Sequence, residues 1–193
     1  MDLAVRTGVA AGPPGNPESY SIDLKQAGEA QAVAGSNLIA FLQRVWSARK
    51  PALVVVEAPF SLAAFARHAN SELTVKLTYG LHYIALSMAH RFGVEYVAIS
   101  VDTVRKHFLG VSKVGDRAAT KRAVVHQCHV LGLMPRNAFD DNRADAIALH
   151  DWASNTIARA IPNELSLYAP LPERRKRRKP HDHRRTASRS AAS

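Results

Sequence analysis

A single cysteine, Cys128, stands among the 193 residues. One thiol excludes an internal disulfide framework and any Cys-rich zinc site. Its place in a helical stretch reads it as a small buried hydrophobe. No apolar run approaches the about 20 residues that a membrane span needs. The first residues lack the basic start and apolar core of a secretory leader, so a soluble cytoplasmic protein is expected. A Gly-rich loop that would cradle phosphates is also missing, which leaves a nucleotide-binding ATPase without its usual binding device.

Acidic residues are scarce only at the C-terminal end. From Arg174 onward there are nine Lys/Arg and one acid, so +8 of the net +10 lies there and the rest of the chain is close to neutral. A segment of Arg, Lys, Pro, His, Ser and Ala cannot bury enough apolar surface to fold alone. Residues 174–193 are therefore expected to be a disordered basic tail, joined through a linker at 161–173 to one domain over 1–160. Such a tail attracts polyanions, nucleic acid foremost, with salt-dependent affinity.

Hydrophobic residues make up 47% of the chain, enough for one real core. Asp2–Ala11 has a short apolar start, an Arg6-Thr7-Gly8 turn and then Val9-Ala10-Ala11. Gly12–Pro17 is a loop signal, and Ser19–Leu24 alternates like a half-exposed strand. Leu38, Phe41, Leu42, Val45 and Trp46 predict a helix over about 28–49. Leu77, Leu81, Ile84 and Met88 predict another over about 74–92, stopped by Gly93. Strands at Leu53–Glu57 and 94–101, and helices at about 102–108, 116–131 and 140–158, complete a mixed-sheet α/β order with a helix-connected parallel part.

Glu57 ends the run Leu53-Val54-Val55-Val56, which reads as a strand buried on both faces. A carboxylate there is costly unless it is paired or bound to a cation. Asp2, Asp140, Asp141 and Asp145 are further acids that could converge on that strand end, a pattern pointing to a divalent-metal site. Mg²⁺ takes oxygen ligands, and phosphodiester hydrolysis by two ions needs several carboxylates around metals about 3.5–4 Å apart.

The motifs Asp2-Leu3-Ala4-Val5-Arg6-Thr7-Gly8, Val55-Val56-Glu57-Ala58-Pro59-Phe60, Thr103-Val104-Arg105-Lys106-His107-Phe108-Leu109-Gly110, Lys121 and Asp140-Asp141-Asn142-Arg143-Ala144-Asp145-Ala146 together resemble the RuvC-type Holliday-junction resolvases. The phage and prophage branch is the nearest in pattern. The resemblance runs from Asp2 to about Trp152. It implies a ribonuclease-H-like α/β fold with a mixed five-stranded sheet flanked by helices. Since only Met1 precedes Asp2, the first strand is expected to be truncated.

The resemblance further implies a crossover junction endodeoxyribonuclease that uses two Mg²⁺ ions, with Mn²⁺ as substitute. It would act as a homodimer on branched DNA, four-way junctions above all. Asp2, Glu57 and Asp145 match the family's metal ligands, with Asp2 bridging both ions. The usual ligand three residues before the last aspartate is Asn142 here. Asp141, on nearly the same helix face as Asp145, is expected to contribute, with Asn142 as competitor. Asp140 is expected to cap the helix.

Phe60 matches an aromatic that opens the junction by stacking, and is equally expected as a core residue. Lys121 matches a basic residue facing a phosphate. Arg105, Lys106, Lys113 and Arg117 read as phosphate contacts or as a solvated face. Two other functions fit the same order: a ribonuclease-H-like nuclease acting on flaps, forks or hybrids, and a non-catalytic or weakly active DNA-binding relative.

Overall fold

A computed structural model describes residues 1–59 and 71–157. The chain runs β1 (Arg6–Ala11), β2 (Glu18–Asp23), α1 (Gln31–Ala48), β3 (Leu53–Glu57), α2 (Glu72–Phe92), β4 (Glu95–Ile99), α3 (Val101–Leu109), α4 (Arg117–Val130) and α5 (Asp141–Thr156). Phe60, the linker at 161–173 and the basic tail lie outside the described residues. No helix among those described is long and apolar enough to cross a membrane.

The helices start where side chains satisfy their first N–H groups. Ser71 accepts from the Thr74 N–H at 3.2 Å, Ser100 from Thr103 at 3.2 Å, and Asp116 from Ala119 at 2.7 Å. Asp140 accepts from the Arg143 N–H at 3.0 Å, the cap expected from the sequence. Gly93 closes α2 in the left-handed conformation, φ 60°.

The expected five-stranded sheet is corrected to two sheets of two strands. β1 and β2 pair antiparallel, and β3 and β4 pair parallel, with Glu57 opposite Ile99. The reason lies at Met1 and Asp2, which supply one bridge in each direction instead of a strand. Asp2 pairs antiparallel with Gly8, through N–H to O bonds of 3.0 and 3.1 Å. On the other side Met1 N donates to Val55 O at 2.7 Å, and the Glu57 N–H donates to Met1 O at 3.4 Å. This is parallel pairing of one residue. The two residues join the sheets but are too few to make a continuous ladder.

β3 separates two apolar clusters, as its period-2 pattern requires. Val54 and Val56 are buried with Leu38, Leu42 and Trp46 of α1 and Leu81, Ala85 and Met88 of α2. Val55 points the other way, against a cluster built from Val104 and Phe108 of α3, Val124, Val125 and Cys128 of α4, and Ala144, Ile147 and Ala148 of α5. Glu57 shares the Val55 side, so the strand delivers its carboxylate towards α3, α4 and α5. Cys128 is fully buried and its thiol is pushed up to about 12, chiefly by burial, which makes it an inert packing group.

The Arg6-Thr7-Gly8 turn expected from the sequence is strand instead. The bend comes earlier, where the buried Thr7 hydroxyl donates to Ala4 O at 2.7 Å. Gly8 then faces α5 at very close range. A Cβ there would stand 1.9 Å from the Asn142 backbone oxygen and 2.5 Å from its carbonyl carbon. Only hydrogen at this position lets the first turn of α5 lie on the strand that pairs with Asp2.

Candidate metal centre

Three segments bring four acids into one region. Asp2 is held by its bridge to Gly8, Glu57 ends β3, and Asp141 and Asp145 lie one turn apart on α5. Burial raises the Asp2 carboxyl above the ordinary carboxylate range. The Asp141 charge adds to that effect, while the Met1 amine, Lys121 and Arg105 oppose it. Glu57 is pushed up to about 8, first by burial and then by the charges of Asp2 and Asp145. Asp145 is raised to about 7, again by burial first and then by Asp2. Three carboxyls that disfavour one another's ionisation therefore share a poorly solvated region.

Asp141 behaves differently. Lys121 donates a hydrogen bond to its Oδ2 and holds the carboxyl below its usual range. Asp140 is also held low. Burial works against ionisation there but is outweighed by bonds from the Arg143 N–H, Ser21 and Arg6.

The donor set fits a hard divalent ion in kind, since it offers carboxylate oxygens in a buried place that lacks enough positive charge. The carboxylates are not drawn together about one point. Among the described residues no three Asp, Glu, His or Cys side chains are grouped so as to hold a common ion. Lys121 already occupies Asp141.

The basic residues separate into two groups. Lys106, Lys113 and Arg117 are exposed. Arg105 is partly buried, and its charge lowers the pKa of Asp2, Glu57 and Asp145 alike. Its Nε is buried without a hydrogen-bond partner among the described residues. The position of Arg105 just after the buried Val104, on the inward side of α3, is the signal that separates it from Lys106. The Asn142 backbone lies against Gly8, while the charged oxygen nearest to Lys121 belongs to Asp141.

The fold has solved counterparts. A structure of T. thermophilus RuvC in complex with Holliday junction substrate superposes with a TM-score of 0.60 at 17% identity, covering 82% of this chain and 92% of that one. A Thermus thermophilus RuvC structure gives 0.56 at 18% identity, covering 82% and 93%. No family model and no curated protein matches the chain. The fold is thus mixed α/β and RuvC-like.

Proposed function

We propose that the chain is a divalent-metal-dependent, structure-selective endodeoxyribonuclease that hydrolyses phosphodiester bonds in four-way junctions or other branched DNA. One observation carries this reading: the half-buried carboxyls of Asp2, Glu57 and Asp145 disfavour one another's ionisation near the end of β3, in a fold similar to one solved with a Holliday junction. Mg²⁺, with Mn²⁺ as substitute, suits an all-oxygen donor set, and two ions suit four carboxylates. The motif resemblance points to the phage and prophage branch.

Bound divalent ions would neutralise phosphate charge and make water more acidic. In-line attack on phosphorus would leave a 5′-phosphate and a 3′-hydroxyl. Asp2, Glu57 and Asp145 would hold the ions through their carboxylate oxygens, and the ions would in turn keep these carboxyls ionised. Arg105 and Lys121 would meet charge developing on the phosphate. Lys106, Lys113, Arg117 and the basic tail would position DNA without reading its sequence.

A symmetric homodimer suits a roughly two-fold junction. The apolar side chains of Leu73, Tyr83 and Leu86 on α2, and of Ile39 on α1, are exposed and supply surface for a second copy.

The test is cleavage of labelled four-way junction, fork and linear duplex, with and without Mg²⁺. Metal-dependent nicking of the junction in preference to duplex is expected. Equal cutting of linear duplex would sink structure selectivity. One feature favours a weakly active DNA-binding relative as second reading: Asp2 is held in place by a single bridge. Tight junction binding with no cleavage at any Mg²⁺ concentration would select it.

A further inference from the structure

The geometry points to Phe139 as a base-stacking residue beside the acidic site, taking an unpaired nucleobase of the branched DNA. This inference rests on the nuclease reading above. Phe139 is the most exposed large hydrophobic among the described residues, at 84%. Leaving such a ring in water forgoes about 1.5–3 kcal/mol that burial would give.

The exposure does not come from a loose loop, because both neighbours are pinned. Ala138 N–H donates to Pro135 O at 2.9 Å, and His129 Nε2 bonds to Ala138 O at 2.9 Å. Asp140 is fixed from three directions, by Ser21 at 2.9 Å, Arg6 at 3.2 Å and the Arg143 N–H at 3.0 Å. The ring itself is braced against His129, edge to face, with centroids 5.8 Å apart and planes at 89°. Its position is set by structure, and it is held in solvent.

The location selects the occupant. Phe139 stands two residues before Asp141, and two residues span at most about 7 Å. That is about two steps of a nucleic-acid strand at 3.4 Å each. A phosphate held at the acids therefore places its neighbouring bases within reach of the ring. Arg136, exposed in the turn that precedes Phe139, adds a cation suited to the strand backbone. Base–aromatic stacking tolerates any sequence, as selection by structure requires. At a branch point, bases leave the duplex stack at least cost.

The full-length protein is tested with a four-way junction carrying 2-aminopurine next to the branch, first in EDTA and then in Mg²⁺. Wild type, Phe139→Ala and Phe139→Trp are compared. Phe139→Ala should lose about 5- to 100-fold in junction affinity and the change in 2-aminopurine fluorescence, while affinity for linear duplex stays as it was. Phe139→Trp should retain both. Because the side chain is exposed, the circular dichroism spectrum and melting temperature of all three should agree.

Junction binding, fluorescence change and cutting by Phe139→Ala at wild-type levels would overturn the inference. So would loss of self-association on sedimentation with the fluorescence change intact, which would assign the ring to a second copy. Failure of the nuclease reading is seen separately: the wild type itself would then neither bind nor cut branched DNA.

Discussion

Glu57→Gln is expected to abolish metal-dependent junction cleavage while making the metal-free protein more stable above pH 7. The two effects have one cause. Glu57 is half-buried beside Asp2 and Asp145 and pushed up to about 8. In the unfolded chain it ionises near 4.5, so between about pH 4.5 and 8 the folded state holds a proton that the unfolded state has lost. Stability that is fully present below pH 4.5 therefore falls as pH rises and is gone at about 8.

Asp145, raised to about 7, adds the same trend over a slightly lower window. Gln mimics the protonated acid and removes the Glu57 part of this penalty. The gain at pH 8 should be on the order of 2 kcal/mol, or about 4–8 °C in melting temperature. At pH 4 the two proteins should melt together. Cleavage should fall by about 10²–10³-fold, the range for loss of one group that supports transition-state charge. Melting curves across pH beside single-turnover cleavage provide the check. A variant that melts below wild type at pH 8 would contradict the placement of Glu57 among repelling acids.

Gly8→Ala should act in the opposite sense on stability and in the same sense on cleavage. Its new methyl group would overlap the Asn142 backbone oxygen, 1.9 Å away, and no side-chain rotation relieves a clash with backbone. Either α5 moves off β1 or the Asp2–Gly8 bridge opens. Overpacking of this kind costs about 3 kcal/mol. Because α5 carries Asp141 and Asp145, a displacement of about 1 Å also lowers cleavage by about 10²-fold. Denaturant titration and junction cleavage measure both effects. Wild-type stability with wild-type activity would show that the strand and helix are not packed as described.

The contrast between Glu57 and Gly8 shows what a sequence discloses. Glu57 is legible because a carboxylate at the end of four apolar residues is chemically out of place. The α1 and α2 helices are legible because their apolar residues recur at helical spacing, and Gly93 marks the end of α2. Gly8 is not legible alone, since Arg-Thr-Gly has the composition of a turn. Its use appears only when α5 lies across it. Gly8 and Ala10 face one way on β1, and the small residues Ala144, Ala146 and Ala148 are buried on α5. Small residues on both sides are the signal of close approach that the pattern did carry.

The division of the sheet is hidden for a similar reason. Local pattern gives strands, whereas the continuity of a sheet depends on how many residues Met1 and Asp2 can pair. Charge alone does not separate Arg105, which the helix leaves half-buried, from Lys106, which is exposed. Asp2, Glu57 and Asp145 are legible as candidate acids. The Lys121 bond that sets Asp141 apart from them is not.

The most direct test is calorimetric titration of the wild-type protein with Mn²⁺ at pH 8 and at pH 5, beside Glu57→Gln. Ions need the ionised carboxylates, while Glu57 and Asp145 hold protons well above the usual range. Mn²⁺ should therefore bind at pH 8, release protons as it does so, and raise the melting temperature. Binding should be much weaker at pH 5 and in Glu57→Gln at either pH. Equal affinity at both pH values, or binding undiminished by Glu57→Gln, would contradict a metal centre built on Asp2, Glu57 and Asp145.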